Sequence, residues 1–203
     1  VNLKIEKGKF YGIFGESGSG KSTFVDLLSG FLKPSFGKIL CDGKRIDLDF
    51  REWRKLIGYV PQSIYLIDDT IKNNICFGKE DKSIDFDLLN YSIKDSQLHK
   101  YIKKLPNGLE TRVGDRGISL SLGQIQRIGI ARALYMQKPI LIFDESTNSL
   151  DFSNEKKIIN TIKNLKKTKT IILISHDLNV LKNCDKIYNL KNKNLNKLSK
   201  KGN

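Results

Sequence analysis

A glycine-rich loop between an apolar strand and a helix constrains the fold of this chain more than any other feature. The loop matches the pattern G-x-x-x-x-G-K-[ST]. Its residues are Gly15, Glu16, Ser17, Gly18, Ser19, Gly20, Lys21, Ser22 and Thr23. An apolar run of strand length, Phe10–Phe14, precedes it, and a helical pattern, Lys21–Ser29, follows it. Strand, loop and helix in this order predict a phosphate-binding loop.

The chemistry of such a loop assigns expected roles to its last residues. Glycines let backbone N–H groups turn inward and cradle phosphate oxygens. The helix that follows points its positive N-terminal end at the same anion. We expect Lys21 to reach the β- and γ-phosphates of a nucleotide and the Ser22 hydroxyl to bind Mg²⁺. A glycine-rich structural turn is the alternative, but such a turn does not need Lys21 and Ser22 together.

A second apolar run, Ile140–Phe143, ends in two carboxylates. In P-loop enzymes a strand of this kind has a terminal Asp that holds Mg²⁺. We therefore expect Asp144 to be a metal ligand, and Glu145 to polarise the attacking water as a general base. Many strands end at acidic turn residues, so Asp144 and Glu145 alone do not indicate a metal site. Together with Lys21 and Ser22 they do.

Strand-length apolar runs alternate with helical patterns along the chain, which favours a mostly parallel sheet covered on both faces. The predicted fold is α/β, a P-loop NTPase core with a mostly parallel sheet and an inserted α-helical subdomain. We predict a single domain over residues 1–203, in which residues 1–67 and about 121–190 form a RecA-like core. Residues from about 68 to 120 lack a convincing strand and form the helical subdomain, and 191–203 are expected to be a mobile basic tail.

Composition limits the remaining classes. The 203 residues are 39% hydrophobic and 29% charged, which indicates a globular chain and not a disordered one. No apolar run reaches the length of a transmembrane helix. The net charge of +14 is compatible with binding to nucleic acid or anionic lipid. A solvated lysine-rich surface is the simpler interpretation.

The motifs together resemble the nucleotide-binding domains of ABC ATPases, from about Gly8 to Leu190. The most specific segment, Leu120–Arg127, reads LSLGQIQR and is similar to the family signature L-S-G-G-Q-x-Q-R. The segment Asp144–Asp151 is similar to the Walker B and D-loop sequence. The segments Tyr59–Gln62 and Ile174–Asp177 are similar to the Q-loop and to the switch-histidine segment.

The resemblance implies ATP and Mg²⁺ as cofactors, and a head-to-tail dimer that sandwiches two ATP molecules. One copy supplies the phosphate loop together with Asp144, Glu145, His176 and Gln62. In this scheme Glu145, His176 and Gln62 are catalytic, and Ser22, Gln62 and Asp144 hold the metal. The second copy, or a homologous domain, supplies its signature helix through Ser121, Gly123 and Gln124, in the manner of an arginine finger in trans.

The resemblance is greatest to exporter-type domains, including bacterial flippases for lipids and oligosaccharides. The segment Thr111–Gly117 before the signature and the segment Thr70–Ile75 after the Q-loop follow the exporter pattern. This implies a transmembrane domain as partner, fused or separate, and a place at the cytoplasmic face of the inner membrane. No nucleic-acid partner is expected.

Two departures from the family pattern stand out. Leu122 occupies the position of the first signature glycine, so its side chain must point away from the nucleotide or crowd it. The aromatic residue that stacks on adenine in the family has no counterpart here, because Val1 lies too close to Gly15. We therefore expect the chain to be truncated at its N-terminus.

Two other functions compete with that of an exporter ATPase. A soluble ABC ATPase acting on DNA is disfavoured, because the chain between Lys21 and Ser121 is too short for an inserted coiled coil. Ribosome-associated relatives carry two nucleotide domains, whereas this sequence contains one. A non-hydrolysing remnant is favoured by the missing adenine stack, but the intact Lys21, Asp144 and Glu145 oppose it.

Overall fold

The computed structural model describes residues 1–147, 150–166 and 168–198. The strands are β1 (Phe10–Phe14), β2 (Leu40–Cys41), β3 (Lys44–Arg45), β4 (Ile57–Val60), β5 (Asp69–Thr70), β6 (Arg112–Val113), β7 (Ile140–Asp144), β8 (Thr170–Ser175), β9 (Lys186–Lys191) and β10 (Asn194–Leu198). The α-helices are α1 (Lys21–Ser29), α2 (Phe50–Lys55), α3 (Ile71–Ile75), α4 (Phe86–Asp95), α5 (His99–Ile102), α6 (Leu122–Tyr135), α7 (Phe152–Leu165) and α8 (Leu178–Leu181). Two short 3₁₀ helices cover Asp81–Ser83 and Gly108–Glu110. Asn148 and Ser149, which belong to the predicted D-loop segment, lie outside the described residues.

A six-stranded sheet in the order β10-β9-β1-β8-β7-β4 organises the fold. Strand β1 pairs in parallel with β8 and β9, and β7 pairs in parallel with β8. The prediction of an α/β fold with a mostly parallel sheet is therefore confirmed. The register places Phe14 opposite Ser175, and Asp144 opposite Ile174. The residues that follow β1, β7 and β8 therefore all lie at the carboxyl ends of these parallel strands. This is the end of the sheet at which α/β proteins bind ligands.

The chain divides into two compact units. The first unit comprises residues 1–59, 138–145 and 165–203, and the second comprises residues 60–137 and 146–164. In the first unit, side chains from β1, β7 and β8 form a core with residues of α1 and α2. Tyr11 and Ile142 are fully buried in this core, and Trp53 is 8% exposed. The Trp53 indole N–H donates to the carbonyl oxygen of Leu28 at 2.7 Å, so this large side chain is buried with its polar group satisfied.

The second unit has its own core, in which α6 packs against α3 and α4. The helical subdomain was predicted over about 68–120, but the compact unit begins at Val60 and includes α6. Helix α6 belongs to this unit because its buried face packs there: Ile128 and Ala131 are fully buried among the helical residues. The subdomain also contains a short antiparallel pair, β5 with β6, which the sequence did not indicate.

A buried polar cluster fixes the chain between the Q-loop and α3 in the second unit. The Asn74 side chain is fully buried; its Oδ1 accepts from the backbone N–H of Ile67 at 3.0 Å, and its Nδ2 donates to the Ile67 carbonyl at 3.0 Å. The Arg132 guanidinium on α6 donates to the carbonyl oxygens of Asn74 and Tyr65 at 2.8 and 3.3 Å. Burial lowers the pKa of Arg132. These bonds tie the segment after Gln62 directly to the signature helix.

The expectation of a mobile tail from residue 191 is wrong for Asn194–Leu198. These residues form β10, which pairs antiparallel with β9 at the edge of the sheet. The turn between the strands places Asn192 and Lys193 in left-handed conformations, with φ of 50° and 62°. Such turns suit tight hairpins. Leu195, which is half-buried, packs against the core of the first unit and anchors a strand that is otherwise polar.

Candidate active site

The phosphate loop joins β1 to α1 in the first unit. Helix α1 begins at Lys21, and its cap residue Gly20 has a φ of 96° and gives the helix no side-chain cap. That left-handed conformation is one that glycine adopts without strain. A Cβ at Gly15 would lie too close to Ser19 Oγ, so a side chain there would force the loop to shift. The glycines therefore leave the helix N-terminus open toward an anion.

The Lys21 ammonium is fully engaged at this loop. Its Nζ donates to the carbonyl oxygens of Gly15 and Glu16 at 2.8 and 2.9 Å, and it lies 3.2 Å from Glu145 Oε1. An ammonium has three protons, so these three acceptors account for all of them. The Lys21 and Glu145 side chains are 10% and 12% exposed, so the ion pair is largely shielded from water.

Glu145 connects the phosphate loop to the switch histidine. Its Oε2 lies 3.3 Å from His176 Nδ1, while its Oε1 contacts Lys21. The His176 side chain is 57% exposed. The structure thus brings together Lys21, Glu145 and His176, which the sequence predicted to act at one site.

The Glu145 backbone has the left-handed conformation, with a φ of 46°. Residues other than glycine adopt this conformation rarely and at a cost, and it is concentrated at functional sites. Its N–H donates to the carbonyl of Ile174 at 3.0 Å, which extends the β7–β8 pairing by one residue. This bond holds Glu145 at the carboxyl end of β7 despite its unfavourable backbone conformation.

Asp144 has a partner that the sequence did not reveal. The Tyr59 hydroxyl donates to Asp144 Oδ2 at 3.2 Å. Burial raises the pKa of Asp144, and the hydrogen bond from Tyr59 acts in the opposite direction. Burial, followed by the nearby charge of Asp144, raises the pKa of Tyr59. Tyr59 stands in the Q-loop segment Tyr59–Gln62, and that motif was the only signal that pointed to it.

The first unit suits a nucleotide with Mg²⁺. The Ser19 hydroxyl is buried and has no hydrogen-bond partner within the described chain, so the loop offers an unused donor beside the open helix N-terminus. The Ser22 hydroxyl is exposed in the first turn of α1. A hydroxyl and a carboxylate such as Asp144 are the hard oxygen ligands that Mg²⁺ prefers, with nucleotide phosphates completing its coordination.

The remaining predicted site residues, Gln62, Ser121, Gly123 and Gln124, belong to the second unit. Ser121 caps α6 in a reciprocal capping box, in which its Oγ accepts from the Gln124 N–H at 3.3 Å and Gln124 Oε1 accepts from the Ser121 N–H at 2.8 Å. Ser121 and Gly123 line a cavity of about 540 Å³ together with Leu122 and Arg127. The Leu122 side chain is 70% exposed. Gln62 is exposed. The functional roles of these residues stay predictions.

Comparison with known proteins assigns the family. The family model described as ABC transporter matches residues 1–148. The chain belongs to the ABC transporter family. An ABC transporter B family member 15 of Arabidopsis thaliana is 44% identical over 191 residues, which are 94% of this chain and 15% of that protein.

Bacterial exporters in the family are similar over nearly the whole chain. An ATP-dependent lipid A-core flippase of Cupriavidus pinatubonensis is 37% identical, over 92% of this chain and 32% of the flippase. The solved structure of a bacterial Atm1-family ABC exporter with ATP bound matches with a TM-score of 0.88 at 36% identity, over 95% of this chain and 34% of that one. This chain therefore spans about a third of the length of these exporters.

These findings confirm the prediction of an exporter-type ABC ATPase domain. The family assignment implies that the chain binds a nucleotide. By name, these two relatives are a flippase and an exporter. No helix among residues 1–147, 150–166 and 168–198 is long and apolar enough to cross a bilayer.

Proposed function

We propose that this domain binds ATP with Mg²⁺ and hydrolyses it in a head-to-tail dimer that energises export across a membrane. The observation that carries the proposal is the contact of Glu145 with both Lys21 and His176 at the carboxyl edge of the sheet. A phosphate-binding cation, a carboxylate base and a histidine within one cluster are groups that suit the hydrolysis of a phosphoanhydride.

The phosphate loop supplies binding and orientation. The backbone N–H groups of the loop and the Ser19 hydroxyl face the phosphate oxygens, and Lys21 neutralises the charge of the β- and γ-phosphates. Ser22 and Asp144 would hold Mg²⁺, and the family resemblance implies Gln62 as a further ligand. The metal, when bound, neutralises charge that develops on the phosphate oxygens. Tyr59 keeps the Asp144 carboxylate in place through its hydrogen bond.

Glu145 is proposed as the general base. It accepts a proton from a water molecule whose oxygen attacks the γ-phosphorus, and the bond from that phosphorus to the bridging β–γ oxygen breaks, so that ADP and phosphate leave. His176 orients Glu145 through the 3.3 Å contact. The family resemblance implies that Gln62 is a further catalytic residue, which senses the attacking water. A base in this position contributes about 10²–10⁴-fold to the rate.

A second copy, or a homologous domain, is proposed to complete each site. The capping box uses the N–H groups of Ser121 and Gln124. The backbone N–H groups of residues 122 and 123, in the first turn of α6, are then the donors that we propose for an anion. Ser121, Gly123 and Gln124 of one copy then face the γ-phosphate held by the other. We further propose that the domain works with a transmembrane domain at the cytoplasmic face of the membrane. We propose no nucleic-acid partner.

The dependence of rate on protein concentration tests the dimer. If the signature must come from a second chain, ATPase activity rises faster than linearly with concentration. A Ser121→Ala variant mixed with a Lys21→Ala variant then recovers part of the activity, since each mixed dimer contains one intact composite site. Strict proportionality, with no recovery on mixing, would show that one chain suffices.

A further inference from the structure

A second cavity lies in the helical unit, and none of the residues assigned to ATP lines it. It has a volume of about 240 Å³. Helices α5, α6 and α7 and the residues next to them contribute His99, Lys100, Lys104, Arg127, Asn154 and Lys157 to its lining. We call this cavity the basic groove. Ordinary ligand pockets measure about 300–1,000 Å³, so the groove suits a ligand more compact than a nucleotide.

The lysines of the groove are not neutralised by neighbouring acids. Lys100, Lys104 and Lys157 are exposed, and none forms an ion pair with any residue that the structure describes. Elsewhere in the same unit, Lys72 is held by two carboxylates, those of Asp81 and Glu110 at 3.1 and 3.0 Å. The groove is therefore a local concentration of uncompensated positive charge, which attracts anions.

Arg127 adds a partly buried guanidinium with donors to spare. Its Nε donates to the carbonyl of Gly123 at 3.1 Å, and its Nη1 donates to the carbonyl of Gln97 at 3.2 Å. No described residue accepts a hydrogen bond from its Nη2. Burial lowers the pKa of Arg127, and the charge of Asp151 acts in the opposite direction. A guanidinium fixed by two backbone carbonyls is preorganised to hold an oxyanion.

His99 supplies a second polar group without a partner. Its Nδ1 is buried and, within the described chain, has no hydrogen-bond partner. Buried polar atoms are nearly always hydrogen-bonded, so this nitrogen would gain a partner if the ring turned toward the groove that His99 lines. The groove is thus lined by three lysines without ion pairs among the described residues, by an arginine with an unused guanidinium nitrogen and by a histidine whose Nδ1 has no partner within the described chain.

We propose that the basic groove binds a compact phosphate-bearing group, either a free diphosphate or the phosphate of a lipid headgroup. The flexible lysines neutralise its charge, while Arg127 and His99 fix its orientation. The groove shares no lining residue with the phosphate loop and needs no second copy of the chain.

Pyrophosphate is the probe for the free ion. The full chain carrying Lys21→Ala, which silences the phosphate loop, is titrated with sodium pyrophosphate by calorimetry at physiological ionic strength. We expect saturable binding that weakens about tenfold or more in Lys100→Ala/Lys157→Ala. The matched control, Lys33→Ala/Lys38→Ala, removes the same charge from exposed lysines of the first unit and is expected to change binding less than about twofold.

Vesicles of phosphatidylglycerol, compared with phosphatidylcholine, test the headgroup. Retention on the anionic vesicles that depends on Lys100 and Lys157, without binding of pyrophosphate, assigns the groove to a lipid headgroup. Binding of pyrophosphate that depends on the same lysines assigns it to a free ion. Equal losses in the groove and control variants, or no binding of either probe, would show only a solvated lysine surface and would overturn the proposal. Unchanged thermal unfolding of both double variants verifies that they fold.

Discussion

Replacing Glu145 by Gln should tighten the binding of ATP as well as stop its hydrolysis. In the structure all three protons of the Lys21 ammonium have acceptors, and one of these is the Glu145 carboxylate at 3.2 Å. A phosphate oxygen that takes Lys21 as its partner must displace that carboxylate. Glu145 therefore competes with the nucleotide and also repels its charge.

The size of the effect follows from the geometry of the ion pair. Two unit charges about 4 Å apart attract by about 4 kcal/mol at an effective dielectric constant near 20. Glutamine keeps an oxygen that accepts from Lys21, so only part of this attraction is lost. We take the lost part to be about 1.5–3 kcal/mol, which is the net value of a hydrogen bond to a charged group. The expected tightening of ATP binding is therefore about 10- to 150-fold.

Calorimetric titration with ATP in the presence of EDTA measures this affinity without turnover. The matched control is Glu16→Gln, which changes the charge of the same loop by one unit. The Glu16 side chain is exposed, and only its backbone carbonyl contacts Lys21. With Mg²⁺ restored, the Glu145 variant should retain less than a tenth of the parent ATPase rate. If Glu145→Gln binds ATP no more tightly than Glu16→Gln, the competition inferred from the ion pair does not exist.

Three further outcomes are expected at and near the site. Tyr59→Phe removes the hydrogen bond to Asp144 and should weaken metal binding in the nucleotide complex by about 1–2 kcal/mol, measured with Mn²⁺ by paramagnetic resonance; unchanged Mn²⁺ affinity would contradict the positioning role. Leu122→Gly removes an exposed side chain from the signature and should favour ATP-dependent dimerisation about fivefold, beyond the effect of Leu122→Ala; equal values for both variants would show that Leu122 does not crowd the nucleotide. The folded-state pKa of Asp144 lies above its reference value of 3.8, so the nucleotide-free domain loses stability as pH rises from that value through the folded-state pKa. Asp144→Asn should therefore raise the thermal midpoint at pH 7 but not at pH 3, and a lower midpoint at pH 7 would refute the effect of burial.

Local patterns predicted the elements that carry the phosphate site. Strand β1 and helix α1 have the bounds that the sequence indicated, because the apolar run Phe10–Phe14 ends at a glycine-rich loop and Lys21–Ser29 ends at a glycine. The resemblance to ABC ATPase domains implied that Glu145 clusters with Lys21 and His176, and the shared end of the parallel strands explains why it does.

Contacts between distant segments were not predictable in the same way. The hydrogen bond from Tyr59 to Asp144 joins residues from two strands whose pairing order no local pattern reveals. Strand β10 was missed because its sequence, NLNKL, has little apolar character, and the neighbouring strand β9 supplies its stability. The conformation of Glu145 was also invisible, since an acidic residue gives no sign of a left-handed backbone.

The stability of helix α6 and the proposed binding of nucleotide make different demands on residue 121, which caps the helix. Ser121 Oγ accepts the Gln124 N–H, which leaves the hydroxyl proton as a donor for the phosphate that we propose to bind there. Aspartate caps helices as well as serine does, but it has no such proton and carries a negative charge. A laboratory selection for thermostability alone would accept aspartate at this position, whereas a selection for turnover would discard it. Stability screens of this domain would therefore enrich inactive chains at residue 121.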